Sequence, residues 1–117
     1  MIAGGDWNAL PASGPEPDPV PGKGKRHKLD RRAAQVLEEA GFLDVGACAG
    51  DLTPTVGHFG PDKLVYRCDV VKTTLPAETI TGNQVLTELD GETDHRPALA
   101  AFDLTQAPDY AGTPGQR

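Results

Sequence analysis

The run Leu64-Val65-Tyr66-Arg67-Cys68-Asp69-Val70-Val71 reads as a β-strand. Side chains alternate along extended backbone, so Leu64, Tyr66, Cys68 and Val70 share one side, and Val65, Arg67, Asp69 and Val71 share the other. A strand needs partners. Downstream, Ile80 to Leu86 is a weaker candidate because Gly82 and Asn83 interrupt it. Ala98 to Leu104 is a further one, after the polar loop Asp90–Pro97. Upstream, residues 1–8 read as a short strand running into the turn Asp6-Trp7-Asn8. Between them, Leu29 to Ala40 carries apolar residues at helical spacing: Leu29, Ala33, Val36, Leu37 and Ala40. Asp30 suits the first turn of that helix, and Gly41 suits a left-handed residue that ends it. Phe42 to Val45 then returns as a short extended piece. The pattern predicts an α/β (α+β) domain with one main amphipathic helix.

The remaining segments read as loop. Five prolines fall between Pro11 and Pro21, and Gly14, Gly22 and Gly24 lie among or beside them, so residues 9–28 hold neither helix nor central strand and are expected to be largely disordered. The tail Thr105–Arg117 is Gly/Pro-rich and expected to fray.

With 117 residues the chain has room for one domain, and no apolar run approaches the roughly 20 residues needed to span a bilayer. The first residues lack the basic and apolar regions of a signal peptide, so the compartment expected by default is cytoplasmic. Two cysteines, Cys48 and Cys68, make neither a disulfide framework nor a four-ligand zinc site, and both read as small core-filling residues. The net charge of −6 argues against coating nucleic acid through bulk positive charge. Six of the eleven basic residues lie in Lys23–Arg32, which reads as a solvated loop and helix face.

Three polar clusters carry the chemistry: Gly5-Asp6-Trp7-Asn8, Arg67-Cys68-Asp69 and Asp94-His95-Arg96-Pro97. Each sits at the end of, or on, a separate predicted strand, where a rigid scaffold can bring them to one crevice. Carboxylates, a carboxamide and an imidazole are the groups that hydrolyse a phosphate ester with a hard divalent cation. Thr53–His58 reads either as a border of that crevice or as a plain surface loop, and Trp7 as packing against the sheet.

In this order the clusters resemble the C-terminal half of the endonuclease/exonuclease/phosphatase superfamily, the group of pancreatic deoxyribonuclease. Gly5–Asn8 matches its G-D-x-N motif, Tyr66–Asp69 the strand usually written R-I-D-Y, and Thr93–Pro97 its S-D-H-R-P motif with Thr93 for Ser. The resemblance covers residues 2–104. It implies a partial deoxyribonuclease-I-like sandwich with a mainly antiparallel sheet, and a Mg²⁺- or Mn²⁺-dependent phosphoester hydrolase of nuclease or phosphatase type. Asp6 would orient or deprotonate water, Asn8 would contact a phosphoryl oxygen, and His95 would meet the scissile phosphate as base or charge stabiliser. Asp69 would fix the tautomer of His95, Asp94 and Asp6 would lie at the metal, and Arg67 and Arg96 are candidate phosphate contacts. The substrate would be nucleic acid or a small phosphorylated molecule. The family's N-terminal half supplies an Asn and the principal metal-binding Glu, for which no residue here is the match. The expectation is therefore a truncated half-domain with little turnover alone, needing that half as a partner; the alternative is a non-catalytic remnant that serves only as a binding or structural module.

Overall fold

The computed structural model describes residues 1–18, 20, 30–61 and 63–107. Leu29, the rest of the Pro-rich stretch and the tail beyond Ala107 lie outside the described residues. Five strands and two helices follow in the order β1 (Ile2–Asp6), α1 (Arg32–Glu39), β2 (Leu43–Asp44), α2 (Val45–Ala49), β3 (Asp69–Thr73), β4 (Ile80–Val85) and β5 (Ala98–Phe102). Single 3₁₀ turns occupy Ala77–Thr79 and Leu104–Gln106. The chain is thus a mixed α/β domain with few helices, none of them long and apolar enough to cross a membrane among the described residues.

The strands form two antiparallel sheets, where the sequence predicted one. In the first, β3 lies between β1 and β2; in the second, β4 pairs with β5. The break follows from Thr73–Thr79, where Thr73 Oγ1 caps the Leu75 N–H and the chain turns through Pro76 into the 3₁₀ turn before β4 begins. The β1–β3 register sets Ile2 against Thr73 and, at the far end, Asp6 against Asp69.

The predicted strand over 64–71 is only half right in its pairing. Ladder pairing begins at Asp69, and the preceding residues are held by one bridge between Val56 and Tyr66. The alternation survives: Tyr66, Cys68 and Val70 are buried, and Leu10, Tyr66 and Cys68 form a core cluster with Val56 and Leu64 against it. Arg67 breaks the pattern. It is buried on the side opposite Tyr66 and Cys68, where its guanidinium donates two bonds to Asp44, Nη1 to Oδ1 at 2.8 Å and Nη2 to Oδ2 at 2.6 Å.

The predicted helix appears as α1, which starts at Arg32 with Asp30 and Arg31 outside it, and its buried face is rotated. Ala34 is the buried residue, Leu37 is half-buried, and Val36 is 63% exposed. The helix lies over the Trp7–Pro11 segment, so the positions that meet it decide which residues are covered. Gly41 adopts φ +96° just beyond its end. Leu10 and Pro11 are buried, and Arg31 donates to the carbonyls of Pro11 and Gly14, so the first part of the Pro-rich stretch is tied down.

Helix α2 replaces the end of the extended piece predicted over Phe42–Val45. Asp44 caps it, accepting from the Ala47 N–H at 3.2 Å, and Gly50 closes it at φ +77°. A capping Asp followed by small residues and a glycine was a legible helix signal. Cys68 is buried as expected; Cys48, at the solvent end of this short helix, is exposed.

Candidate functional site

The register of β1 and β3 places two carboxylates opposite one another at one end of the first sheet. Like charges in a directly opposed pair repel, so Asp6 and Asp69 need a compensating group. The 94–97 loop supplies it. His95 Nδ1 lies 2.8 Å from Asp69 Oδ2 and its Nε2 lies 3.8 Å from Asp6 Oδ2. The carboxylate can only accept, so Nδ1–H donates to Asp69, and Nε2 is the nitrogen turned toward Asp6. The imidazole remains 40% exposed, open to a ligand.

Each of these groups is held from behind. Asp69 N–H and Cys68 N–H both donate to Thr55 Oγ1, at 3.1 and 3.2 Å, and Thr55 is completely buried. The Cys68 thiol donates to Asp69 Oδ2 at 3.3 Å. His95 is braced by Thr93, whose hydroxyl donates to the His95 carbonyl and accepts from its N–H. Just after β1, the Trp7 N–H donates to the Cys68 carbonyl and its indole N–H to the Val70 carbonyl, while the Lys72 ammonium sits 5.3 Å from the ring centroid. The fixed indole sets the turn after β1. Asn8 follows in a left-handed conformation at φ +51°, its N–H closing an Asx turn on Asp6 Oδ1.

The electrostatics follow from this packing. The hydrogen bond that His95 donates to Asp69, with the charges of Asp69, Asp6 and Asp94 behind it, raises the pKa of His95 above its ordinary value. Burial, aided by the Asp69 charge, pushes the Cys68 thiol up to about 12, so it stays protonated. A raised histidine pKa favours the native state fully below the unfolded value of about 6.5, and that contribution fades as pH rises through the native pKa. An NMR titration of the His95 ring is expected to give a midpoint above about 6.5, and Asp69→Asn is expected to lower it. A midpoint unmoved by Asp69→Asn would show that Asp69 is not the cause.

Asp6, Cys68, Asp69 and His95 form a group whose potential ligand atoms all lie within 4.8 Å of one another and could hold a metal ion. The donor set suits a hard cation in part. Asp69 Oδ1 has no protein donor among the described residues, and Asp6 Oδ2 lies 3.8 Å from His95 Nε2; a protonated thiol adds no anionic ligand. Asp94 is exposed and outside the group, adding its charge from a distance. Arg67 is committed to Asp44. Arg96 gives Nε and Nη2 to Asp90 and Nη1 to the Pro54 carbonyl, so neither guanidinium is directed at the cluster. The sequence left the Thr53–His58 loop undecided, and Thr55 at its centre proves to be the residue under Asp69. Its signal was slight: a threonine between Pro54 and Val56.

No family model matches the chain, and no curated protein or solved structure matches it.

Proposed function

We propose that this cluster is the reaction centre of a divalent-metal-dependent phosphoester hydrolase. The observation that carries the reading is the imidazole of His95 set between two carboxylates, bonded to Asp69 through Nδ1 and facing Asp6 through Nε2. Asp69 fixes the ring orientation and favours the imidazolium, a role carboxylates play toward histidines that handle protons. Nε2 can then take a proton from water or, once protonated, donate to an anionic phosphoryl oxygen. Asp6, held by the Asn8 N–H, is placed to orient the attacking water beside it. Asn8 follows on an exposed turn, where its amide would contact a phosphoryl oxygen. The carboxylates of Asp6 and Asp69 would hold Mg²⁺ or Mn²⁺, which supplies charge neutralisation on the phosphoryl oxygens. The motif resemblance points to the same chemistry.

Among the described residues no glutamate joins the cluster. Binding of Mg²⁺ by two carboxylates is expected to be weak and turnover by the chain alone slow, both rising when a further acidic ligand is supplied by additional residues or a partner chain. The test is hydrolysis of bis-p-nitrophenyl phosphate and of plasmid DNA with Mg²⁺ or Mn²⁺. Turnover abolished by EDTA and restored by excess cation is the expected result. Turnover indifferent to EDTA would remove the metal from the reading, and none under any supplementation would leave a non-catalytic module.

A further inference from the structure

We infer that His58 is a positioning residue for His95, the counterpart of Thr55 beneath Asp69. The inference concerns placement of the ring; its catalytic consequence rests on the hydrolase reading. The His58 side chain is 8% exposed. Its Nε2 hydrogen-bonds the Thr93 carbonyl, which can only accept, so Nε2 carries the hydrogen. Thr93 in turn holds His95 at both its N–H and its carbonyl through one hydroxyl. The route from His58 to the Asp69–His95 bond therefore passes through a single residue.

Three features separate this from ordinary loop packing. First, His58 Nδ1 is buried without a hydrogen-bond partner among the described residues. Leaving a buried polar atom unpaired is unfavourable, and a loop tie alone could be made by a side chain without that atom. The ring offers a planar donor whose orientation is set by packing, here against the edge of Phe59 with centroids 5.2 Å apart. Second, the backbone is bent specially to deliver it. Gly57 has φ +100°, and a Cβ there would lie 2.6 Å from Val65 Cα and 2.7 Å from the Leu64 carbonyl oxygen, so only glycine fits. Third, the four residues Thr55–His58 grip both sides of the same bond. Thr55 takes the N–H groups of Cys68 and Asp69, its carbonyl accepts from Arg96 N–H at 2.8 Å, and His58 takes Thr93. The separation of Asp69 from His95 is thereby set by one short segment rather than by two independent loops.

The experiment is NMR of the His95 ring at fixed pH, following the Nδ1–H proton bonded to Asp69 and its exchange with water, in the wild type, His58→Phe, His58→Gln and Thr93→Ala. Phe keeps the ring volume and loses the donor, whereas Gln places an amide donor near the position of Nε2. Exchange of the Nδ1–H is expected to quicken about 2–10-fold in His58→Phe, the factor that corresponds to the net worth of one lost hydrogen bond. His58→Gln is expected to restore most of the protection. Thr93→Ala, which cuts the link while sparing the His58 bond to the main chain, is expected to behave like His58→Phe. If His58→Phe fails to fold, Thr93→Ala carries the test. A folded His58→Phe or Thr93→Ala with unchanged Nδ1–H exchange overturns the inference. The same variants, assayed with bis-p-nitrophenyl phosphate, are expected to lose kcat with KM nearly unchanged. Altered exchange with no EDTA-sensitive hydrolysis in any form would leave the placement standing and remove the hydrolase reading. Hydrolysis in the wild type with unaltered exchange in the variants would do the reverse.

Discussion

His95→Ala is expected to lower kcat for EDTA-sensitive bis-p-nitrophenyl phosphate hydrolysis by about 10²–10⁴-fold, the usual contribution of a placed proton-transfer group. Because turnover by the chain alone is expected to be slow, the variant should fall to the uncatalysed background there. The reduction should appear in kcat, since the ring acts where charge develops rather than on the bound substrate alone. Asp6→Asn is expected to do comparable harm if Asp6 handles the proton of water, and much less if it only orients the molecule. The pair of substitutions thus divides the two roles. Activity that survives both would sink the assignment of the site.

The second large effect concerns stability and lies away from the cluster. Arg67 is 7% exposed and Asp44 18%, and the two share a bidentate ion pair. Burial works against ionising Asp44, but the Arg67 hydrogen bond and charge outweigh it and hold the carboxyl below its ordinary value. Removing one partner strands a buried charge, so Arg67→Met is expected to destabilise the fold by about 3–5 kcal/mol. Asp44→Ser together with Arg67→Met should recover much of this, because serine still caps α2 and no carboxylate is left unpaired. Urea denaturation of the wild type and these two variants measures it. Arg67→Met within about 1 kcal/mol of the wild type would show that the pair contributes little. The sign with pH is fixed by the lowered pKa: the stabilisation is present above about 3.8 and is lost as pH falls through the native value.

That ion pair also marks where the sequence stopped being legible. Alternation along 64–71 placed Tyr66, Cys68 and Val70 inside, because burying apolar side chains is decided by period alone. The same rule put Arg67 on the opposite side, and nothing at the level of period could say that Asp44, 23 positions earlier, would come to meet it and that it would be buried there. Strands near 2–6, 80–85 and 98–102 were readable from local pattern. Their division into two sheets was not, because it depends on the turn around Pro76 and on the tertiary pairing of β2. Helix α1 was legible as a helix and not in its orientation: eight residues with modest apolar side chains leave the neighbour to choose the face. Within the site, the polar motifs named Asp6, Asp69 and His95, which the fold brings together. The Thr53–His58 loop was left undecided, and Thr55 and His58 within it were not singled out, because a positioning residue is defined by what it touches.

The opposition of Asp6 and Asp69 at the end of the β1–β3 ladder has a wider consequence. The first sheet reaches its full length only by bringing these like charges together, and His95 compensates them from one side while their oxygens stay within reach of a cation. Any cation that binds these oxygens in the native chain and not in the unfolded one is, by mass action, a stabiliser of the whole domain. Stability and ligand affinity at this end of the molecule are therefore one quantity partitioned two ways, and selection cannot adjust either without moving the other.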